Sequence, residues 1–151
     1  LLSFGSELEG YMQAESVMHR ELVAKGHRLL LETETSTSHH NFDTWNNWIP
    51  SRYYTGRQYA ALWSRHWSSL RRALFTIASP LIPIIRLYRI QKQILLREKI
   101  SKAIRLMPAL LVGLIVEGIG QMAGYALGNG NASEKVAAYE YHRIKQDNQD
   151  V

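Results

Sequence analysis

The chain has no cysteine among its 151 residues, which excludes disulfides, thiolate metal sites and a cysteine nucleophile together. A protein facing a reducing compartment is the plain inference. No internal repeat is present, so an array of repeated units is excluded. No secretory signal can be read at Leu1, because a positively charged opening and a long apolar run are both missing there. Acids are nearly absent from Arg65 to Arg105, where ten basic residues stand against the single acid Glu98, a net charge of +9. The whole chain carries only +5, so the positive charge is concentrated in that segment. Apolar residues at 46% and charged residues at 21% exclude a disordered chain, and the length suits one domain.

What is present is organised around the stretch from Met12 to Asn41. At about 100° per residue, Tyr11, Ala14, Met18 and Leu22 fall on one helix face, and Glu15 projects within that stripe while Glu9 and Arg20 point away. Gly26 suits a left-handed helix end, and the run from Arg28 to Glu32 is short and apolar enough for a buried strand. A carboxylate held on an apolar face is partly desolvated, which raises its pKa toward the range of a general base. The alternative is an ordinary ion pair with His19, four residues on.

Residues 42–67 hold all four tryptophans with Tyr53, Tyr54 and Tyr59, a density that serves sugar stacking, an interfacial belt or core packing. Pro50 fits the first turn of a helix running through Tyr59 and Trp67, with residues 41–49 as a loop over the preceding site. The charge-free run from Ala73 to Ile85 is interrupted by Pro80 and Pro83, and as a helix would reach only roughly 20 Å, short of the hydrocarbon core. Met107 to Leu127 is long enough to cross, yet Glu117 sits at its middle, a cost of several kcal/mol unless paired or protonated. An interfacial or re-entrant helix is therefore expected. Gly120, Gly124 and Gly128 form a ridge for the close approach of another helix, either the one from Pro80 to Arg105 or that of a second copy in a homo-oligomer. The Gly128–Asn131 cluster reads as a linker, followed by a charged helix with Ser133 as its N-cap.

The basic segment interleaves with aliphatic residues, as in Ile84-Ile85-Arg86-Leu87-Tyr88-Arg89-Ile90, where a single-strand nucleic-acid binder would interleave stacking aromatics. An anionic membrane surface is the expected partner, and nucleic acid is not.

The order Glu15, Met18, Leu22, Gly26, Leu29, Leu31-Glu32 and His39 resembles the closing part of the catalytic domain of family 2 glycosyltransferases. Gly56-Arg57-Gln58-Tyr59, Trp67-Ser68, Pro80 with Pro83, the run from Gly120 to Tyr125, and Glu140 with Arg143 continue the resemblance to a bacterial branch of that family. The resemblance implies a mainly α chain with three parts. Residues 1–49 would be the C-terminal remnant of an α/β (GT-A-like) catalytic domain, 50–128 amphipathic, membrane-associated helices, and 129–151 a linker and charged helix. The nucleotide-binding strands and D-x-D carboxylates would lie upstream of Leu1.

The implied activity is transfer of a sugar, with inversion, from a nucleotide-sugar donor to a glycan, cell-envelope or lipid-linked acceptor at the cytoplasmic face of the membrane. Glu15 would be the catalytic base, Arg57 a clamp on the donor diphosphate, and His39 a ligand of a divalent metal, magnesium or manganese. His40 competes with His39, since neighbours in an extended segment face opposite ways. A zinc site from His39, His40 and His66 has no supporting spacing. A second class stays open: a non-catalytic membrane-interaction module in which Glu15 is incidental.

Overall fold

A computed structural model describes the backbone of residues 15–30, 44–97 and 100–147, and side chains over 16–30, 44–92 and 104–139. The chain is mainly α, as expected. Its helices are α1 (Glu15–Ala24), α2 (Trp45–Trp63), α3 (Ser69–Ala78), α4 (Leu81–Arg97), α5 (Ile100–Leu127) and α6 (Ala132–Asp147). Among the described residues there is no strand. Residues 28–30 of the expected strand have no regular structure, and Leu29 and Leu30 are exposed. A strand needs a neighbour to take its backbone donors and acceptors, and none of the described residues supplies one.

Helix α1 closes as the glycine predicts. Gly26 takes φ 86°, His27 N–H donates to the Leu22 carbonyl, and Gly26 N–H donates to the Val23 carbonyl, both at 3.0 Å. This paired closure satisfies carbonyls that the helix end would leave open. Val17 is the buried residue of α1, with Met18 and Leu22 beside it against Tyr59, Leu62 and Trp63 of α2. Arg20, expected to point away, instead lies over the Trp63 ring at 4.5 Å, where the aromatic face attracts the cation.

Helices α2 and α5 form the centre of the molecule, and their backbones touch. A Cβ added at Gly120 would strike the Tyr53 carbonyl, one at Gly124 the Arg57 carbonyl, and one at Gly56 the Glu117 carbonyl. The partner for the glycine ridge is thus α2, neither the helix after Pro80 nor a second copy. The reason is that α2 brings small residues of its own, Gly56 and Ala60, to the same contact. Gly128 is not part of the ridge; at φ 77° it ends α5, and its N–H donates to the Gly124 carbonyl at 3.0 Å.

Helix α2 also starts earlier than expected. It begins at Trp45 and carries Pro50 inside it, so residues 45–49 are helical, and it ends at Trp63, leaving Trp67 in the turn before α3. Trp67 packs with Phe75 at 4.5 Å and stacks on Tyr125 at 5.8 Å, under the Arg71 guanidinium at 4.0 Å. All four tryptophans therefore pack against other rings, Trp63 and Trp67 in this cluster and Trp45 edge-on to Trp48 at 5.2 Å.

At Ser79-Pro80 the chain bends by 60° between α3 and α4. Proline removes an N–H at this point, and Ser79, buried, donates its hydroxyl to the Phe75 carbonyl at 2.7 Å. Helix α5 includes a 24-residue stretch, Ile104–Leu127, with mean hydropathy 1.7. At 1.5 Å per residue it measures about 36 Å, long and apolar enough to associate with a membrane.

The last helix begins one residue before Ser133, which is therefore not its N-cap. The Ser133 hydroxyl accepts from Gln58 Nε2 at 3.1 Å and from Asn129 Nδ2 at 2.8 Å. Tyr139 stacks on Tyr54 at 6.2 Å, so α6 folds back on α2 across the glycine-asparagine turn.

Candidate functional site

Glu117 sits in the middle of apolar α5, only 13% exposed, where an unpaired carboxylate is costly. Arg86 of α4 forms an ion pair with Glu117 Oε1, Arg52 of α2 approaches Oε2 at 3.7 Å, and Gln121 Nε2 donates to Oε1 at 3.3 Å. Two cations and an amide from three helices therefore meet one acid, which leaves the group positive. The pairing also ties α4 to the α2–α5 centre.

This polar group forms part of the wall of a half-open cavity of about 750 Å³, within the roughly 300–1,000 Å³ typical of small-molecule sites. Tyr59 and Trp63 of α2, Phe75 of α3 and Tyr125 of α5 give it an aromatic lining. Leu81, Ile82 and Ile85 of α4 add an aliphatic side, and Arg89 a further cation. Burial pushes the Tyr125 hydroxyl up to about 12, the neighbouring Tyr59 adding to the shift, so it remains a neutral phenol across any working pH. Ser16 of α1 completes the wall. Among the described lining residues Glu117 is the sole acid, and it is held by cations. An apolar groove of about 300 Å³ lies between Pro80, Pro83, Ile84 and Leu87 of α4 and Leu111, Ile115, Ile119 and Met122 of α5.

Glu15 opens α1 and is bonded to Ser16, a cavity-wall residue, while its own side chain lies outside the described residues. His39 and His40 also lie outside them, as do the side chains of Glu140 and Arg143. Arg57 is described and is not a wall of the cavity. Its Nε donates to the Gly128 carbonyl at 2.9 Å, and its Nη atoms lie beside Gly130. Arg72 Nε likewise donates to the Tyr125 carbonyl at 2.9 Å. Both cations thus satisfy carbonyls at the negative end of α5. His66 accepts from Arg65 Nε at 2.9 Å. Among the described residues no three His, Asp or Glu side chains converge to hold a metal ion.

The cavity residues Arg86, Arg89, Glu117 and Gln121 were not legible as a site. The available signal was Glu117 itself: a carboxylate in an apolar helix requires a cation, and Arg86 in the apolar run of α4 is a natural donor. No family model, curated protein or solved structure matches the chain.

Proposed function

We propose that this chain is the acceptor-side and membrane-docking part of a nucleotide-sugar-dependent glycosyltransferase. The observation that carries this reading is that α1, which begins at Glu15, shares one cavity with the apolar and basic helices α3 to α5. The order of motifs shared with family 2 glycosyltransferases supports it as well. The exposed Val23, Leu29 and Leu30 are apolar surface of the kind a sheet would cover, which supports α1 as the remnant of an α/β domain.

The chemistry follows from the roles. Glu15 takes the proton of the acceptor hydroxyl, the freed oxygen forms a bond to the anomeric carbon, and the carbon–oxygen bond to the nucleoside diphosphate breaks on the opposite face, giving inversion. His39 would be among the ligands of a magnesium or manganese ion, which would supply positive charge for the departing diphosphate. Arg57, whose Nε donates to the Gly128 carbonyl outside the cavity wall, is the candidate clamp for a diphosphate oxygen through its terminal nitrogens.

Docking at the cytoplasmic face of an anionic membrane is supported by exposed Leu70, Leu74, Ile77, Leu81, Ile84 and Ile85, set among Arg71, Arg89 and Lys92. Each basic group near such a surface contributes about 1 kcal/mol, and two signals together give stable attachment where one alone is marginal. Helix α5 inserts shallowly or packs on this face. The same surface favours the second reading, a module that only docks on membranes.

The test is to express the reading frame with the sequence preceding Leu1 and to incubate its membranes with labelled nucleotide sugars. Label appearing in polysaccharide or extractable lipid, and absent from control membranes, is the expected result. Membrane binding without any transfer selects the docking module.

A further inference from the structure

We infer that the cavity between α2, α3, α4 and α5 is a binding site for one amphiphile with a phosphorylated headgroup, its phosphate on Arg89 and Arg86 and its apolar chain against the aromatic lining. Arg89 is exposed, lines the cavity, and has no hydrogen-bond or ion-pair partner among the described residues. Arg86 spends a terminal nitrogen on Glu117 and keeps further donors, in the forked geometry that suits phosphate oxygens. With Arg52 also on Glu117, the group retains positive charge that an anion would neutralise.

The remaining walls are predominantly apolar, which favours a ligand with an apolar part. Trp63, Phe75 and Tyr125 contribute mostly apolar ring surface, with one indole N–H and one hydroxyl among them, and a small hydrophilic phosphate would leave that surface wet. Leu81 and Ile85 belong both to the cavity wall and to the exposed apolar face, at 56% and 49% exposure, so the cavity is continuous with the surface read as membrane-facing. A lipid chain can therefore enter from the bilayer side without crossing water. The site rests on the acceptor-side reading: the bound lipid would be the acceptor, its reacting hydroxyl lying beyond the phosphate on the headgroup and Ser16 marking the side from which α1 approaches.

The experiment needs no donor sugar, so it stands apart from the transfer reaction. The chain is held in micelles of a neutral detergent and titrated with bromine-labelled dodecyl phosphate, with quenching of tryptophan fluorescence as the readout, since Trp63 lines the cavity. Saturable quenching is expected, with a half-point about tenfold below that of bromine-labelled dodecanol, the scale of one charge-assisted hydrogen bond. Inorganic phosphate should compete poorly. Arg89→Ala should raise the phosphate half-point toward that of the alcohol. Ala78→Phe, which fills the wall, should weaken both ligands, with circular dichroism confirming that each variant is folded. Non-saturable quenching, equal half-points for phosphate and alcohol, efficient competition by inorganic phosphate, or unchanged selectivity in Arg89→Ala would each overturn the site. Specific binding in a protein that transfers no sugar would leave the site standing and remove the glycosyltransferase reading.

Discussion

Glu117 is where a single side chain decides most about the molecule. A carboxylate in the middle of an apolar helix is tolerable because Arg86, Arg52 and Gln121 reach it, so removing a partner costs more than removing the whole pair. Arg86→Leu should destabilise the chain by about 1–3 kcal/mol, the cost of leaving a charged group short of a partner. Arg86→Leu with Glu117→Leu should recover most of that loss, a non-additivity read by thermal unfolding of the two single variants and the double. Equal losses that simply add would mean that the ion pair is surface decoration. The glycines impose a different kind of limit. Because a Cβ at Gly124 would meet the Arg57 carbonyl and the Ala60 side chain, Gly124→Val must push α2 from α5. A loss of at least about 1–3 kcal/mol is expected from such overpacking, seen as a lower Tm. At Gly26 the opposite holds, since no atom lies near its absent Cβ and only the positive φ resists substitution. Gly26→Ala should therefore cost about 1 kcal/mol, the penalty of a left-handed conformation alone.

Among the elements, those fixed by local chemistry were legible and those fixed by a distant partner were not. The end of α1 at Gly26 follows from one residue's freedom in φ, and the break at Pro80 from a missing N–H. The partner of the glycine ridge could not be read, because choosing α2 over α4 depends on Gly56 and Ala60, which lie more than sixty residues away in sequence. Arg57 shows the same limit. Its bond to Gly128 spans 71 residues, so its sequence neighbourhood could suggest a phosphate clamp but not a helix cap. The strand expected after Gly26 had the right composition and no described neighbour to pair with. Of the candidate site, the helix that begins at Glu15 was legible from its pattern. The cavity beside it was not, because five helices contribute its walls. Paired helices α3 and α4 carry the docking prediction at this scale: replacing Leu74, Ile77 and Ile84 by Ser should abolish sedimentation with anionic liposomes while leaving the α2–α5 contact intact, since none of the three is buried. Unchanged sedimentation would move the docking surface elsewhere.

For the molecule as a whole, the proposed reading brings a membrane-seeking face and the helix that begins at the candidate base Glu15 to one cavity, through Ser16. Attachment should require anionic lipid and weaken in high salt, because exposed cations are screened beyond about 10 Å at 0.1 M salt. Equal binding to neutral vesicles would remove the electrostatic part of the account. The most direct measurement of its central claim is sugar turnover by the protein extended upstream of Leu1, compared with its Glu15→Gln variant in the same membranes. The amide keeps the shape of the side chain, so donor and metal binding should stay near normal while turnover falls by roughly 10²-fold or more, the scale of losing a positioned base. Near-normal turnover with only a lower thermal stability would make Glu15 a structural partner and contradict the catalytic assignment.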